Sequence, residues 1–228
     1  MSIILAIDSS NAHCSVALNC DGSIIQRVSE QPRQHARRVL PMIAELLAEK
    51  SLAPTDIDAI AIVSGPGSFT GLRIGAGVAQ GLAFGVGVPV VGVSALEIIA
   101  MKAHYNEGYT HLLVCMRARE DEVYSAAYCV CGEQITLQGR EMVGAPQERH
   151  FEGADGTAKW FGVGDGWSYA QALNAKTGLQ VLGSNASEMS SDAATLSVLA
   201  SMKWAKHGGV APELALPVYL KEQMDYQE

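Results

Sequence analysis

The sequence lacks an excess of basic residues, with 16 Lys and Arg against 24 Asp and Glu and a formal net charge of −8 over 228 residues. Residues 1–100 hold six of the basic and eight of the acidic residues, which leaves ten and sixteen for the remainder. Neither half provides the positive field with which a protein grips nucleic acid unaided. If RNA takes part in the function, we expect a partner to hold it.

A secretory signal is also missing, because Met1 leads directly into strand-like sequence without a basic segment, an apolar segment and a cleavage site. The five cysteines are an odd number and form no C-x-x-C pair. Free thiols in a reducing cytoplasm are favoured over disulfides or a metal site. We therefore expect a cytoplasmic protein whose 48% hydrophobic composition can fill a substantial core.

Familiar catalytic motifs are absent as well. The chain has no G-x-S-x-G, no H-E-x-x-H and no Gly-Lys-Ser/Thr, and its six histidines are dispersed. The glycines at 65, 67 and 71 miss the G-x-G-x-x-G spacing by one position, as do those at 75, 77 and 81. Walker and Rossmann nucleotide sites are thus unsupported.

The most informative stretch that is present follows a β-branched apolar run, Ile57 to Val63, which predicts a buried strand. Glycine and proline then break the strand, and apolar spacing predicts a helix capped by Ser68 or Thr70. The stretch of turn and helix start comprises Gly65, Pro66, Gly67, Ser68, Phe69, Thr70, Gly71, Leu72, Arg73, Ile74 and Gly75. A membrane span from Ile74 to Val93 is the less favoured alternative, since no basic cluster flanks it.

Glycines inside this helix lower its intrinsic stability by roughly 1 kcal/mol each. Gly71, Gly75 and Ala79 share one face, whereas Gly77, Gly81 and Gly85 share another. We predict that the helix is pressed against neighbours on more than one side, with purely internal packing as the alternative.

A first helix is predicted over 34–50, with an apolar stripe of Ala36, Val39, Leu40, Ile43 and Leu47. Pro41 either kinks this helix or marks its first turn. His35 has Val39 rather than a second imidazole four residues on, so we expect a solvated or capping His35 and no metal site.

The remaining pattern predicts three antiparallel strands at the start of the chain, with a turn at Asp21-Gly22, and alternating strand and helix after them. The best boundary signal is at residues 106–108. We therefore expect an N-terminal lobe at 1–105 and a smaller C-terminal lobe at 106–228, whose final residues pack back on the first lobe. The last long helix is predicted over 192–207, before Gly208 and Gly209.

The run from Gly65 to Gly75 resembles the signature of the bacterial TsaB (YeaZ) family, which assists in making threonylcarbamoyladenosine in tRNA and is also described as glycoprotease-like. Residues 4–10, 14–18, 90–94 and 217–220 are similar to the family in the same order. The resemblance implies a two-lobed α/β fold of the actin-like ATPase superfamily, with mixed sheets flanked by helices. Arg117-Ala118-Arg119 departs from the family's Asp-Ala-Arg motif, which puts a second phosphate or metal contact in doubt.

The resemblance implies that the leucine-bearing helix at 34–50 and the glycine-rich helix after Ser68 form a face for self-association and for binding a TsaD-type catalytic subunit. Its expected residues are Ala36, Val39, Leu40, Ile43, Leu47, Leu72, Gly75, Val78, Gly81 and Leu82. A TsaE-type ATPase and tRNA would join only through the complex, and the isolated chain would be a homodimer away from any membrane.

The resemblance also places a nucleotide-site remnant at Asp8, Ser9 and Ser10 and at Gly162, Gly164 and Asp165. For Asp8 a local turn cap is the favoured alternative. We expect no catalytic residue and no cofactor, with ATP or ADP bound weakly at most or only within the complex. The leading hypothesis is a non-catalytic helper subunit for threonylcarbamoyl transfer. The alternatives are an ATP-binding enzyme with its own site and a peptidase that acts on the TsaD-type partner.

Overall fold

A computed structural model describes residues 2–29, 31–32, 34–185 and 189–220. Its strands are β1 (Ile3–Asp8), β2 (Ser15–Cys20), β3 (Ser23–Val28), β4 (Ala59–Gly65), β5 (Val90–Ser94), β6 (His111–Arg117), β7 (Val123–Cys131), β8 (Gln134–Gly144), β9 (Lys159–Val163) and β10 (Gln180–Asn185). Its α-helices are α1 (His35–Glu49), α2 (Phe69–Val86), α3 (Ala95–Glu107), α4 (Ala170–Thr177) and α5 (Ala193–His207). Short 3-10 helices lie at Pro54–Asp56, Pro146–Glu148, Asp165–Tyr169 and Pro212–Leu214.

The chain divides into two compact units. The first comprises the described residues up to Ala95 together with Ser191–Val218, and the second comprises Leu96–Ser190 with the described residues after Val218. The expected boundary after residue 105 differs from this division. The glycine that suggested it, Gly108, has φ 75° and donates its N–H to the His104 carbonyl, so it ends α3 and is not a linker.

The sheet of the first unit has the strand order β3-β2-β1-β4-β5. β1 is antiparallel to β2 and parallel to β4, and β4 is parallel to β5. The expected hairpin turn at Asp21-Gly22 joins β2 to β3, and both turn residues have positive φ angles of 47° and 91°. This order leaves the ends of β1 and β4 side by side, where the glycine-rich turn begins.

Both faces of this sheet are covered. Alternate residues of β1, including Leu5 and Ile7, share a core with the inward faces of α1 and α2. The intervening residues Ile4 and Ala6 are also fully buried, and α5 contacts β1 and β2. The last helix therefore belongs to the first unit, although chain order alone places it in the second.

The sheet of the second unit has the order β10-β9-β6-β7-β8, with β6 antiparallel to β7 and parallel to β9. If β6 is counted as the first strand of this unit, its five strands have the same order as those of the first sheet, read from the opposite edge. The expected α/β class with two mixed sheets flanked by helices is thereby confirmed. No helix in the described part of the chain is long and apolar enough to cross a membrane.

Candidate functional site

The turn after β1, residues Asp8–Asn11, is the polar centre of the first unit and is called the Asp8 turn below. Asp8 is fully buried, and its Oδ1 accepts the Ser10 N–H at 2.9 Å and the Ser10 hydroxyl at 2.7 Å. Its Oδ2 accepts the Ser191 hydroxyl at 2.6 Å and the Asn11 amide at 3.3 Å. Three of these donors come from the turn itself, as in the expected local cap, but the Ser191 hydroxyl is 183 residues away in the sequence.

Burial is the largest influence on the Asp8 carboxyl, and it raises the pKa above the ordinary value of 3.8. Hydrogen bonds from Ser10 and Ser191 offset part of this increase, while the nearby Asp192 carboxylate adds to it. The four donors match the roughly four lone-pair positions of a carboxylate. The carboxyl group is therefore engaged by the protein's own donors.

The signature glycines at the start of α2 lie against the Asp8 turn. A Cβ on Gly71 would lie 1.9 Å from the Ser9 carbonyl oxygen, and one on Gly75 would lie 2.4 Å from the Ser9 hydroxyl. A Cβ on Gly67 would lie 2.7 Å from the Ser10 Cβ. The Ser9 hydroxyl also donates to the Gly71 carbonyl at 2.8 Å. These glycines are needed because a side chain would collide with the Ser9 backbone at Gly71, the Ser9 hydroxyl at Gly75 and Ser10 at Gly67.

The rest of the signature shapes the beginning of the helix. Ser68 is the N-cap, as expected, and its hydroxyl accepts the Gly71 N–H at 3.3 Å. Gly65 has φ 134°, and a Cβ there would lie 2.7 Å from the Val218 carbonyl oxygen. Pro66, which follows Gly65, is buried, while Thr70 is exposed. On the surface, the Arg73 guanidinium lies 3.9 Å from the centre of the Phe69 ring.

Three later glycines of α2 behave differently and are called the glycine ridge: Gly77, Gly81 and Gly85. All three are exposed, and a Cβ on any of them would have nothing within 4 Å. The Phe84 side chain beside them is 80% exposed. Internal packing therefore explains why Gly67, Gly71 and Gly75 are glycines, whereas no contact with the described residues explains the glycine ridge.

The expected partner-binding residues separate into two groups. Ala36, Leu40 and Gly81 are exposed, and Val78 and Leu82 are half-buried. The other five are buried in the protein's own core and are corrected here from surface to core: Val39, Ile43, Leu47, Leu72 and Gly75. The apolar stripe of α1 faces the sheet, so its outward side offers Leu40 at 50% exposure.

His35 is neither solvated nor a helix cap, contrary to expectation. It is buried, and its Nε2 lies 2.7 Å from the Asn11 carbonyl oxygen. Because a carbonyl oxygen only accepts, Nε2 carries the proton in this contact. No group of three or more His, Cys, Asp or Glu among the described residues is arranged to hold a metal ion.

The second part of the expected nucleotide site is a tightly packed turn in the second unit. A Cβ on Gly162 would lie 2.3 Å from the Trp167 indole, and one on Gly164 would lie 2.3 Å from the Cys115 carbonyl oxygen. Asp165 Oδ1 accepts the Arg117 N–H at 2.8 Å. These contacts give the glycines and the carboxylate structural roles, so their presence is no argument for an adenine pocket.

Comparison with known proteins gives the family. A family model described as "TsaD: tRNA N6-adenosine threonylcarbamoyltransferase" matches residues 25–185. The Escherichia coli K12 protein "tRNA threonylcarbamoyladenosine biosynthesis protein TsaB" is 37% identical over 227 residues, which are 99% of this chain and 97% of that protein. This chain belongs to the TsaB family.

Other TsaB relatives agree. The Haemophilus influenzae protein of the same name is 32% identical over 99% of this chain and 96% of its own length. The solved structure "YeaZ from Pseudomonas aeruginosa" has a TM-score of 0.87 and 40% identity, and the match covers 96% of this chain and 100% of that one. A second solved structure is described as having "similarity to peptidase YEAZ". Both structural matches cover 96% of this chain and 100% of the solved chain.

Proposed function

We propose that this chain is a non-catalytic subunit for threonylcarbamoyladenosine biosynthesis in the cytoplasm, and that it binds a TsaD-type catalytic subunit through the outer faces of α1 and α2. The names of its TsaB relatives supply the pathway. The glycine ridge carries the binding argument, because an exposed line of glycines costs helix stability and no described residue packs closely enough against it to require glycine.

The shape of this face suits a helix from another protein. α1 and α2 contact each other and pack on the same side of the sheet, so Leu40 and the ridge belong to neighbouring helices. Glycines let a partner helix approach closely, and an exposed phenylalanine such as Phe84 provides a large apolar anchor. Self-association in isolation and exchange into a heterodimer would use the same surface.

The chemistry belongs to the partner in this proposal. The Asp8 carboxylate is engaged by four internal donors, and Ser68 serves as a helix cap. The acidic chain is also unsuited to holding tRNA alone. The tRNA and a TsaE-type ATPase would therefore join through the complex, and ATP or ADP would bind the isolated chain weakly at most.

The test is to mix the chain with its TsaD-type partner, follow mass by light scattering and assay tRNA modification on the same fractions. Gly81→Leu adds bulk on the ridge without an internal clash, and we expect it to weaken the complex at least about thirtyfold, as for an interface hot spot of about 2 kcal/mol. Gly156→Leu is the matched control, because Gly156 is also exposed with nothing within 4 Å.

A one-to-one complex that modifies tRNA only when both chains are present supports the proposal. Equal partner affinity of the Gly81→Leu and Gly156→Leu variants would show that the ridge is not part of the interface. Turnover of ATP by the isolated chain would favour the enzyme alternative. Cleavage of the partner that is lost in Ser68→Ala would favour the peptidase.

A further inference from the structure

The N-terminal ends of three helices are bonded to the four residues of the Asp8 turn. At α2, the Ser68 N–H donates to the Ser10 carbonyl at 2.8 Å, and the Ser9 hydroxyl donates to Gly71. At α1, the first residue, His35, bonds the Asn11 carbonyl. The start of α5 is attached through Ser191, two residues before that helix begins.

The attachment of α5 is the most extensive of the three. Asn11 Nδ2 donates to the Ser191 carbonyl at 3.0 Å and lies 2.9 Å from its hydroxyl, which itself donates to Asp8. One residue further, Asp192 caps α5 by accepting the Thr195 N–H at 2.8 Å. The Ala193 N–H donates to the Ser15 hydroxyl at 3.0 Å. The start of α5 is therefore fixed by both β1 and β2.

The Asp8 carboxyl group fits a structural role at this point. Its hydrogen bonds with Ser10 and Ser191 offset part of the rise in pKa that burial causes. All four hydrogen bonds to its oxygens come from residues of the turn or of the α5 attachment, which are Ser10, Asn11 and Ser191. A metal ion or its bound water would have to displace these donors.

We propose that Asp8 is a positioning residue, which fixes the starts of α1, α2 and α5 on one turn and thereby holds the partner-binding faces of α1 and α2 in their relative positions. This inference rests on the proposed function for the identity of that surface. In this role the buried carboxyl group joins the turn to the start of α5 through its hydrogen bonds with Ser10, Asn11 and Ser191.

The experiment compares Asp8→Ala, Asp8→Asn and Ser191→Ala in the full chain by amide hydrogen exchange. We expect the Ser68 and Ala193 amides to exchange about tenfold faster in Asp8→Ala, and less than that in Asp8→Asn, because asparagine keeps the size and one acceptor oxygen. The Gly22 amide, which donates to Asn19 Oδ1 at 2.8 Å, should not change.

Two controls separate positioning from general destabilisation and from nucleotide binding. Ile60→Val removes one methyl group from a fully buried side chain in β4 and lowers stability without touching the turn. Affinity for the TsaD-type partner should fall about tenfold in Ser191→Ala and stay unchanged in Ile60→Val. Binding of Mg-ATP is measured on the wild-type chain and on Asp8→Asn in parallel.

Faster exchange confined to Ser68, Ala193 and the first turn of α1 supports the proposal, with Asp8→Asn intermediate. A uniform increase at all amides including Gly22, or equal effects of Asp8→Asn and Asp8→Ala, would overturn it. Tight Mg-ATP binding by the wild type that is lost in Asp8→Asn would also overturn it. If the wild type fails to bind the partner, the proposed function fails, whereas the exchange pattern still decides the role of Asp8.

Discussion

Alanine at Gly71 and alanine at Gly81 should change the stability of the isolated chain in opposite directions. At Gly71 the new methyl group would lie 1.9 Å from the Ser9 carbonyl oxygen, so backbone must move. Overpacking at its upper end costs about 3 kcal/mol, and the Ser9 to Gly71 hydrogen bond contributes about 1 kcal/mol. The higher helix propensity of alanine adds about 1 kcal/mol of stability, so the free energy of unfolding should fall by about 3 kcal/mol in total.

For a chain of this length about 1 kcal/mol corresponds to about 2–4 °C in Tm, so Gly71→Ala should melt about 6–12 °C below the wild type. Gly81→Ala meets nothing within 4 Å and gains about 1 kcal/mol of helix propensity, so it should melt about 2–4 °C higher. The assay is thermal unfolding followed by circular dichroism. A Gly71→Ala chain as stable as the wild type would refute the close approach, and a destabilised Gly81→Ala chain would refute the open ridge.

Three further outcomes are expected. Leu40→Asp should leave the free energy of unfolding within about 0.5 kcal/mol of the wild-type value and abolish partner binding in light scattering. Leu47→Asp, at a buried position, should unfold the chain. Partner binding by the Leu40→Asp variant would contradict this prediction. Because the folded pKa of Asp8 is raised, its contribution to stability is fully present below about pH 3.8 and is lost as pH rises through the folded pKa. The stability of Asp8→Asn relative to the wild type, from urea unfolding, should therefore increase with pH over that window, and a flat difference would argue against the shift. In alkylation followed by mass spectrometry, exposed Cys131 should react first and Cys115, whose pKa is raised by burial, last; early labelling of Cys115 would show that its site opens.

Elements with strong patterns could be predicted from the sequence. Clear alternation and the Asp21-Gly22 turn gave the first hairpin, and the Ser68 cap gave the start of α2. β8 was missed because it is largely exposed and polar, so it has weak hydrophobic periodicity. β9, β10 and α4 also went unpredicted. The glycines at 162, 164 and 166 indicated a turn, whereas Gly162 lies in β9 and packs against the Trp167 indole.

The candidate site could be predicted only in part. Spacing identified two glycine faces on α2, but it cannot tell which face meets the Asp8 turn and which stays open. The apolar stripe of α1 has the same periodicity whether it faces a partner or its own core, so Ile43 and Leu47 were assigned to the wrong surface. The bond between Asp8 and Ser191 joins residues 183 positions apart, and no local pattern encodes such a pair.

The return of Ser191–Val218 to the first unit has a consequence for synthesis of the chain. The ribosome completes all five strands of the first sheet at Ser94, yet the helix that covers one face of β1 and β2 begins only at Ala193. Nearly a hundred residues, about the length of the second unit, are made in between. A nascent chain therefore carries one uncovered apolar sheet face throughout that interval, which makes it a natural client for chaperones that bind exposed apolar surface.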